Sequence, residues 1–324
     1  MLNPFELYTI PLHDWIEPTL DIIVDRFRPL LLAVSFPVSF ILDRVDSFLQ
    51  GIPPLIFLSI AGLLTWQCAG WAIATYSIVA LFFLGSIGIW SAAMTTLSLV
   101  VTAVIFCIIL GIPLGIIAAK SDRLEQMLRP FLDAMQTLPA FVYLVPVVML
   151  FGIGAVPGVI VTLVVALPPL IRLTDVGIRQ TSSDVVEAAV DCGANASQIL
   201  WEIQIPLAMP IILVGINQTI MQALAMVVVA SMISVKGLGL IVLRGIGQLD
   251  IGMAVVGGIG IVAIAILLDR VSQALSRSHP LPWQKRGFVG VICLIAKGIK
   301  MSGRYFSRRS KVKETESKTS WKVD

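Results

Sequence analysis

The side chains able to do chemistry in this 324-residue chain are few, and most are neutral. His13 and His279 are its two histidines, each alone beside a proline-rich turn, so they read as surface or interface residues rather than ligands. Cys68, Cys107, Cys192 and Cys293 show no CxxC spacing and read as small apolar fillers, neither a disulfide framework nor a metal site. No GxxxxGK[ST] occurs; Val235-Lys236-Gly237-Leu238-Gly239 has the wrong order for a phosphate-cradling loop. No acid lies centrally in an apolar stretch, as a proton-coupled carrier would usually need. What remains is two neutral groups: Asn217, Gln218, Thr219 and Gln222, and Thr95, Thr96, Ser98 and Thr102. Gln218 and Gln222 are four apart and are expected to share a helical face with Thr219. Such groups either line a weakly polar pathway for a solute without net charge or bond one helix to the next, a contact worth about 0.6 kcal/mol on average in membranes.

The elements that must carry these residues are membrane helices. The composition is 57% hydrophobic and 13% charged, and mean hydropathy is +0.93, against about 25% charged residues in soluble domains. A helix needs about 20 apolar residues to cross the hydrocarbon core. Seven stretches qualify as candidates: about 53–68, 70–90, 93–119, 134–152, 155–173, 206–233 and 251–269. The chain is thus predicted to be an all-α polytopic membrane protein with about seven transmembrane helices. Pro139 and Pro146 interrupt the fourth stretch, and Pro168 and Pro169 the fifth. Proline frees backbone carbonyls, which a cavity or neighbouring helices must satisfy. Pro139, Pro146, Gln218, Thr219 and Gln222 are therefore candidate lining residues.

Charge divides the chain into three parts. Residues 1–52 carry seven acids against three arginines and lack the basic start and cleavage site of a signal peptide. Two amphipathic runs are expected there, separated by Pro37, one with Ile23, Phe27, Leu30, Leu31 and Val34 and one with Ile41, Val45, Phe48 and Leu49 on its apolar face. A transmembrane part follows over 53–275. After residue 269 come thirteen Lys and Arg against three acids, and residues 276–324 read as a basic tail for anionic lipid; within it, Phe288 to Ala296 is too short to span. Positive loops stay cytoplasmic. Lys120, Arg123, Arg129, Arg172, Arg179 and the tail all place the same side inside, leaving the acidic N-terminal segment extracytoplasmic. Lys236 and Arg244, in a glycine-rich stretch at 234–250, fall outside by this count; that stretch is expected to be a half-buried outer loop.

Residues 181–206 form the longest polar break between apolar blocks. Thr181-Ser182-Ser183-Asp184 offers cap residues, with Glu187 three beyond Asp184. Gly193 is expected to end the first helix in a left-handed conformation. A second short helix with Ile199, Leu200 and Ile203 should follow, before an apolar run that starts at Pro206. Glu187-Ala188-Ala189, then Gly193, Ile203 and Pro206, resembles the EAA loop of ABC importer permeases, departing from it in having Ile205 where that pattern has leucine. The stretches 135–146 (MQTLPAFVYLVP), 151–154 (FGIG), 167–174 (LPPLIRLT), 217–219 (NQT) and 243–247 (LRGIG) are similar to the glycine betaine/proline betaine branch. The similarity runs from about residue 10 to 275 and takes in the acidic N-terminal segment.

The resemblance implies a type I ABC importer permease core in the inner membrane. Its loop at 181–206 would dock on a cytoplasmic ATP-binding subunit through Glu187, Ala188, Ala189, Gly193, Ile203 and Pro206. It implies a second permease copy, an external substrate-binding protein, and membrane lipid as surroundings, with no nucleic acid. ATP and Mg would be bound by the partner ATPase and no cofactor by this chain, which is then no enzyme itself. With the chain ending at Asp324, the binding protein is expected to be a separate chain. The solute implied is a betaine-type osmoprotectant. A related permease for choline, carnitine, an amino acid or taurine stays open, and a secondary carrier would need intramembrane charges.

The charge asymmetry makes a topological prediction. With single cysteines at Asp14 or Ser310 in a cysteine-free background, an impermeant thiol reagent on intact cells should label the first site and reach the second only after lysis. Labelling of the Ser310 site alone would invert the topology.

Overall fold

Hydrocarbon leaves no water for backbone amides and carbonyls, so a chain this apolar must close its hydrogen bonds within helices. The computed structural model describes the backbone of residues 12–276 and the side chains of residues 26–274, and among these it contains helices and no strand. The basic tail from 277, with its Phe288–Ala296 run and lipid role, lies outside the described residues, as do residues 1–11, Cys293, and the side chains of His13 and His279.

Three helices make the centre: α4 (Trp90–Lys120), α7 (Ala155–Arg179) and α10 (Ile205–Ala230). α7 packs along both α4 and α10. Glycines permit the close approach. A Cβ on Gly115 of α4 would lie 2.5 Å from the Thr174 Cβ, and one on Gly177 of α7 would lie 3.3 Å from the Ala208 Cβ. Small residues at crossings let membrane helices meet backbone to backbone, where dispersion does the work that water does elsewhere. Leu170, Ile171, Ala208 and Ile212 are buried in this seam.

Four of the seven expected stretches are single helices long and apolar enough to cross: α4, α7, the continuous Ala196–Ile233 rod, and Ile251–Ala274 within α12 (Ile251–Ser276). Two further crossings are available if each of two bent helix pairs is one span. Pro168 and Pro169 do not break the fifth stretch. Both are buried inside α7, where packing against α4 and α10 outweighs the lost amides. The fourth stretch does break. α5 (Asp122–Thr137) stops where Leu138, preceding Pro139, takes extended angles (φ −71°, ψ 135°). A 3₁₀ turn at Ala140–Tyr143 and α6 (Leu144–Phe151) follow, bent 105° from α5. The first two stretches are α2 (Pro54–Ala69) and α3 (Trp71–Ser86), each 16 residues, hinged at Gly70 with φ +91°. At 1.5 Å per residue each covers about 24 Å, short of a ~30 Å core.

The N-terminal segment is one helix, not two. α1 (Leu12–Gly51) runs through Pro37. One proline costs a single backbone bond, and packing against α4 holds the helix together. Its buried stripe is Val38, Leu42 and Leu49, with Val45 packed beside it. Phe48, expected on that face, is instead 67% exposed.

The 234–250 stretch is also more ordered than expected. It contains α11 (Leu238–Gly247), laid against the start of α12. A Cβ on Gly245 would lie 2.5 Å from the Ala254 nitrogen, so this glycine serves close packing.

The α4–α7 seam yields a stability prediction. Gly115→Val should cost about 1–3 kcal/mol through overpacking and lower the melting temperature of the purified protein in detergent. Gly258→Ala, where an added Cβ meets nothing within 4 Å, should leave it unchanged. Equal melting temperatures for the two variants would show that the seam yields freely.

Candidate functional site

The end of the bundle that leads into residues 181–206 is built from the end of α4, the helix α5 and the end of α7. The Arg179 guanidinium closes α7 by reaching three elements: Nη1 lies 2.6 Å from Asp122 Oδ1, Nε lies 2.7 Å from Asp175 Oδ1, and Nη2 donates to the Ala118 carbonyl at 2.9 Å. Arg172, two turns earlier, pairs with Asp133 of α5 at 2.5 Å. A planar guanidinium with fixed donors suits such multiple contacts. In the sequence both arginines serve only as topogenic charges. The i, i+4 spacing of Asp175 and Arg179 carries a local signal, but the distant partners Asp122 and Asp133 carry none.

From this anchored end the chain enters α8 (Ser183–Asp191). The expected cap is absent: Ser182 stands at the N-cap but its side chain makes no cap bond, and Asp184 sits inside the first turn, where a negative charge favours the helix dipole. The C-terminus matches the expectation. Gly193 takes φ +85°, its amide donates to the Val190 carbonyl at 2.8 Å, and the Ala194 amide donates to the Ala189 carbonyl at 2.9 Å. This pair of bonds is a Schellman motif, which requires a left-handed residue at that point. The capping box lies further on, between Asn195 and Gln198, each amide–side-chain bond 2.9 Å long.

Beyond the cap, the expected separate second helix is the start of the next span. A single turn (α9, Ala196–Gln198) passes through a π-helical turn at Ile199–Gln204 into α10 without a break, making a rod of 38 residues. Ile199 and Leu200 are buried and seat this rod in the bundle. α8 itself has no buried residue. Glu187, Ala188 and Gly193 are exposed, Ala189 and Ile203 half-buried, and Pro206 exposed. Val185 and Val190 stand 43% and 55% open. The element therefore presents a mixed apolar and acidic face that no other described residue buries.

The expected lining residues do not act together. Gln218 is exposed and Gln222 half-buried, whereas Thr219 is buried and donates to the Gly215 carbonyl of its own helix at 3.0 Å. Thr219 thus faces the bundle, one position round from Gln218. Asn217 accepts a bond from Ser272 of α12. Pro139 and Pro146 are exposed on the α5–α6 bend. In the α4 group, Thr96 accepts from the Leu238 amide at 2.8 Å and Ser98 donates to Asp46 of α1 at 2.9 Å, so these bond helices to each other.

At the opposite end a cavity of about 890 Å³ opens between α1, the first turns of α4, the start of α7 and residues 234–244. Asp43, Asp46 and Gln50 line one side, and Lys236 and Arg244 another. Asp46 also accepts from Gln50 Nε2 at 3.1 Å, and Gln50 Nε2 lies 3.0 Å from Thr95 Oγ1. Nothing local in the sequence marks Asp43 and Asp46 as sharing a site with Lys236 and Arg244. Only the packing of α1 on α4 brings them there.

With this geometry in view, comparison with known proteins is informative. Residues 111–278 match the family of binding-protein-dependent transport system inner membrane components. The glycine betaine/proline betaine transport system permease protein ProW of Escherichia coli (strain K12) is 51% identical over 296 residues, 90% of this chain and 84% of that protein. The glycine betaine/carnitine transport permease protein GbuB of Listeria monocytogenes serotype 1/2a (strain 10403S) is 40% identical over 83% of this chain and 96% of its own length. Among solved structures, the MetNI methionine ABC transporter in inward-facing conformations is similar in fold, with TM-score 0.52 and 17% identity over 56% of this chain and 91% of that one.

Proposed function

We infer the function from one premise: the chain belongs to the binding-protein-dependent transport system inner membrane components. It is the membrane-spanning permease subunit of an importer for osmoprotectants of the glycine betaine and proline betaine type. The observation that carries the reading is the identity to a betaine permease over nine-tenths of the chain, and the uncovered helix α8 on its anchored base is what such a subunit needs. ATP and Mg belong to a separate cytoplasmic ATPase, and the solute is delivered by an external binding protein. Two copies of this chain would form the pathway, with residues 1–52 outside and the tail inside.

In this mechanism the loaded binding protein docks outside and ATP closes the ATPase pair. α8 moves with the ATPase as a rigid piece. Because 196–233 is one rod, a displacement at its cytoplasmic end tilts α10 along its length. Arg179 and Arg172 tie α7 to α4 and α5, and α7 packs along α10, so these helices are carried with the rod as one body. Alternation between two packings of rigid helices is the ordinary repertoire of such switching. Solute selection would sit largely in the binding protein, where aromatic faces can hold a quaternary ammonium.

The test is uptake of radiolabelled glycine betaine, with carnitine and choline as competitors, by cells expressing the permease, its ATPase and its binding protein. Energy-dependent uptake of a betaine is expected. Uptake of none of these solutes by the intact system would remove the solute class. Gly193→Val should insert at normal abundance and lose most uptake, because the left-handed angle costs a β-branched residue about 1–3 kcal/mol, enough to misplace α8 but not to unfold the bundle. Gly193→Asn should retain most uptake, since Asn tolerates that conformation. Glu187→Lys should resemble the valine variant by reversing a charge at the ATPase contact. Full uptake by Gly193→Val at matched abundance would end the coupling role of 181–206.

A further inference from the structure

The outer cavity has a charge pattern that neither the coupling element nor the family explains. Asp43 and Asp46 sit on α1, three residues apart and so on one helical face. Lys236 and Arg244 line the same cavity from the chain that leads into and through α11. Asp43, Lys236 and Arg244 are exposed, and among the described residues no ion pair within 4.0 Å joins them, so their charges are open to a ligand in the cavity. The volume of about 890 Å³ falls within the range of small-molecule sites.

The backbone on the cationic side is held in unusual angles. Ser234, a non-glycine residue, has φ +63°, and Gly237 has φ +136°. Lys236 is presented between them. A Cβ on Gly237 would lie 2.7 Å from Thr96 Oγ1, and the next amide, of Leu238, donates to that same oxygen. Residues held off the common angles by such contacts cluster at ligand sites and switches.

The acidic side has the complementary chemistry. Asp46 already accepts hydrogen bonds from Ser98 and Gln50. Its need for donors is met while its charge remains. A quaternary ammonium donates no hydrogen bond, so a carboxylate attracts it through charge. A carboxylate, by contrast, needs donors, which Lys236 and Arg244 supply.

We propose that this cavity is a transit site for a zwitterion, with Asp43 and Asp46 facing its quaternary ammonium and Lys236 and Arg244 its carboxylate. The site rests on the proposed function in taking a betaine as the solute. It adds a place within this chain where the solute is held after leaving the binding protein.

The test uses vesicles carrying the complete complex, with the native cysteines of the permease replaced and Ser91, an exposed residue lining the cavity, changed to Cys. Modification by the uncharged reagent N-ethylmaleimide is timed with and without glycine betaine, and with glycerol at the same concentration. Glycine betaine should slow modification about tenfold when tenfold above its dissociation constant, and glycerol should not. Adding Asp43→Asn and Lys236→Gln should abolish this protection. Absence of protection in the charge-intact protein, or its persistence in the doubly neutralised one, overturns the site. Betaine uptake by the same strain is measured in parallel. Uptake without protection defeats the transit site alone, and absence of uptake defeats the proposed function.

Discussion

Everything in this molecule is mounted on the close approach of α7 to α4 and α10. Without side-chain volume at Gly115 and Gly177, the three helices meet almost backbone to backbone. In hydrocarbon no water is released by bringing helices together, so this density of contact is what makes the association favourable. Pro168 and Pro169 persist within α7 because the neighbours on both sides hold it straight. The ends of the three helices then fix where the elements at either end of the bundle can stand.

At the end of the bundle next to α8 the packing is converted into a charged joint. Arg179 gathers α4, α5 and α7 at one point, and Arg172 repeats the link two turns earlier. Exposed ion pairs contribute little to stability, typically 0–1 kcal/mol. Their value here is geometric, since they set the direction in which the chain leaves α7 and enters α8. The Schellman closure at Gly193 then reverses the chain within two residues and feeds it into the α10 rod. α8 is consequently held in place at its base and has no buried residue.

At the opposite end the same bundle leaves a space rather than a seal. α1 lies against α4 through Val38, Leu42 and Leu49, which turns its acids toward the residues after α10. Lys236 and Arg244 depart from the charge rule that orients the rest of the chain. They line the same cavity as Asp43 and Asp46, so their charges have a local acidic counterpart.

The sequence by itself determined what depends on a few neighbouring residues. Apolar runs dictate helices in the membrane, Pro139 pushes Leu138 into extended angles and ends α5, and Gly193 permits the left-handed turn after α8. These follow from backbone sterics and hydrogen bonding within one or two turns, and the family resemblance of 181–206 rests on the same local pattern. Tertiary structure alone decided the rest. Pro37 and Pro168 look like breaks in sequence but are carried by packing from other helices. Thr219 and Gln218 are adjacent, yet one is buried and the other exposed, because α7 covers only one side of α10. Thr96 receives its bond from Leu238, 142 residues away. Which polar groups meet, and which charges face one cavity, depends on helix rotation and crossing. Those are set by the summed volumes of residues distant in sequence, and no local pattern contains that sum.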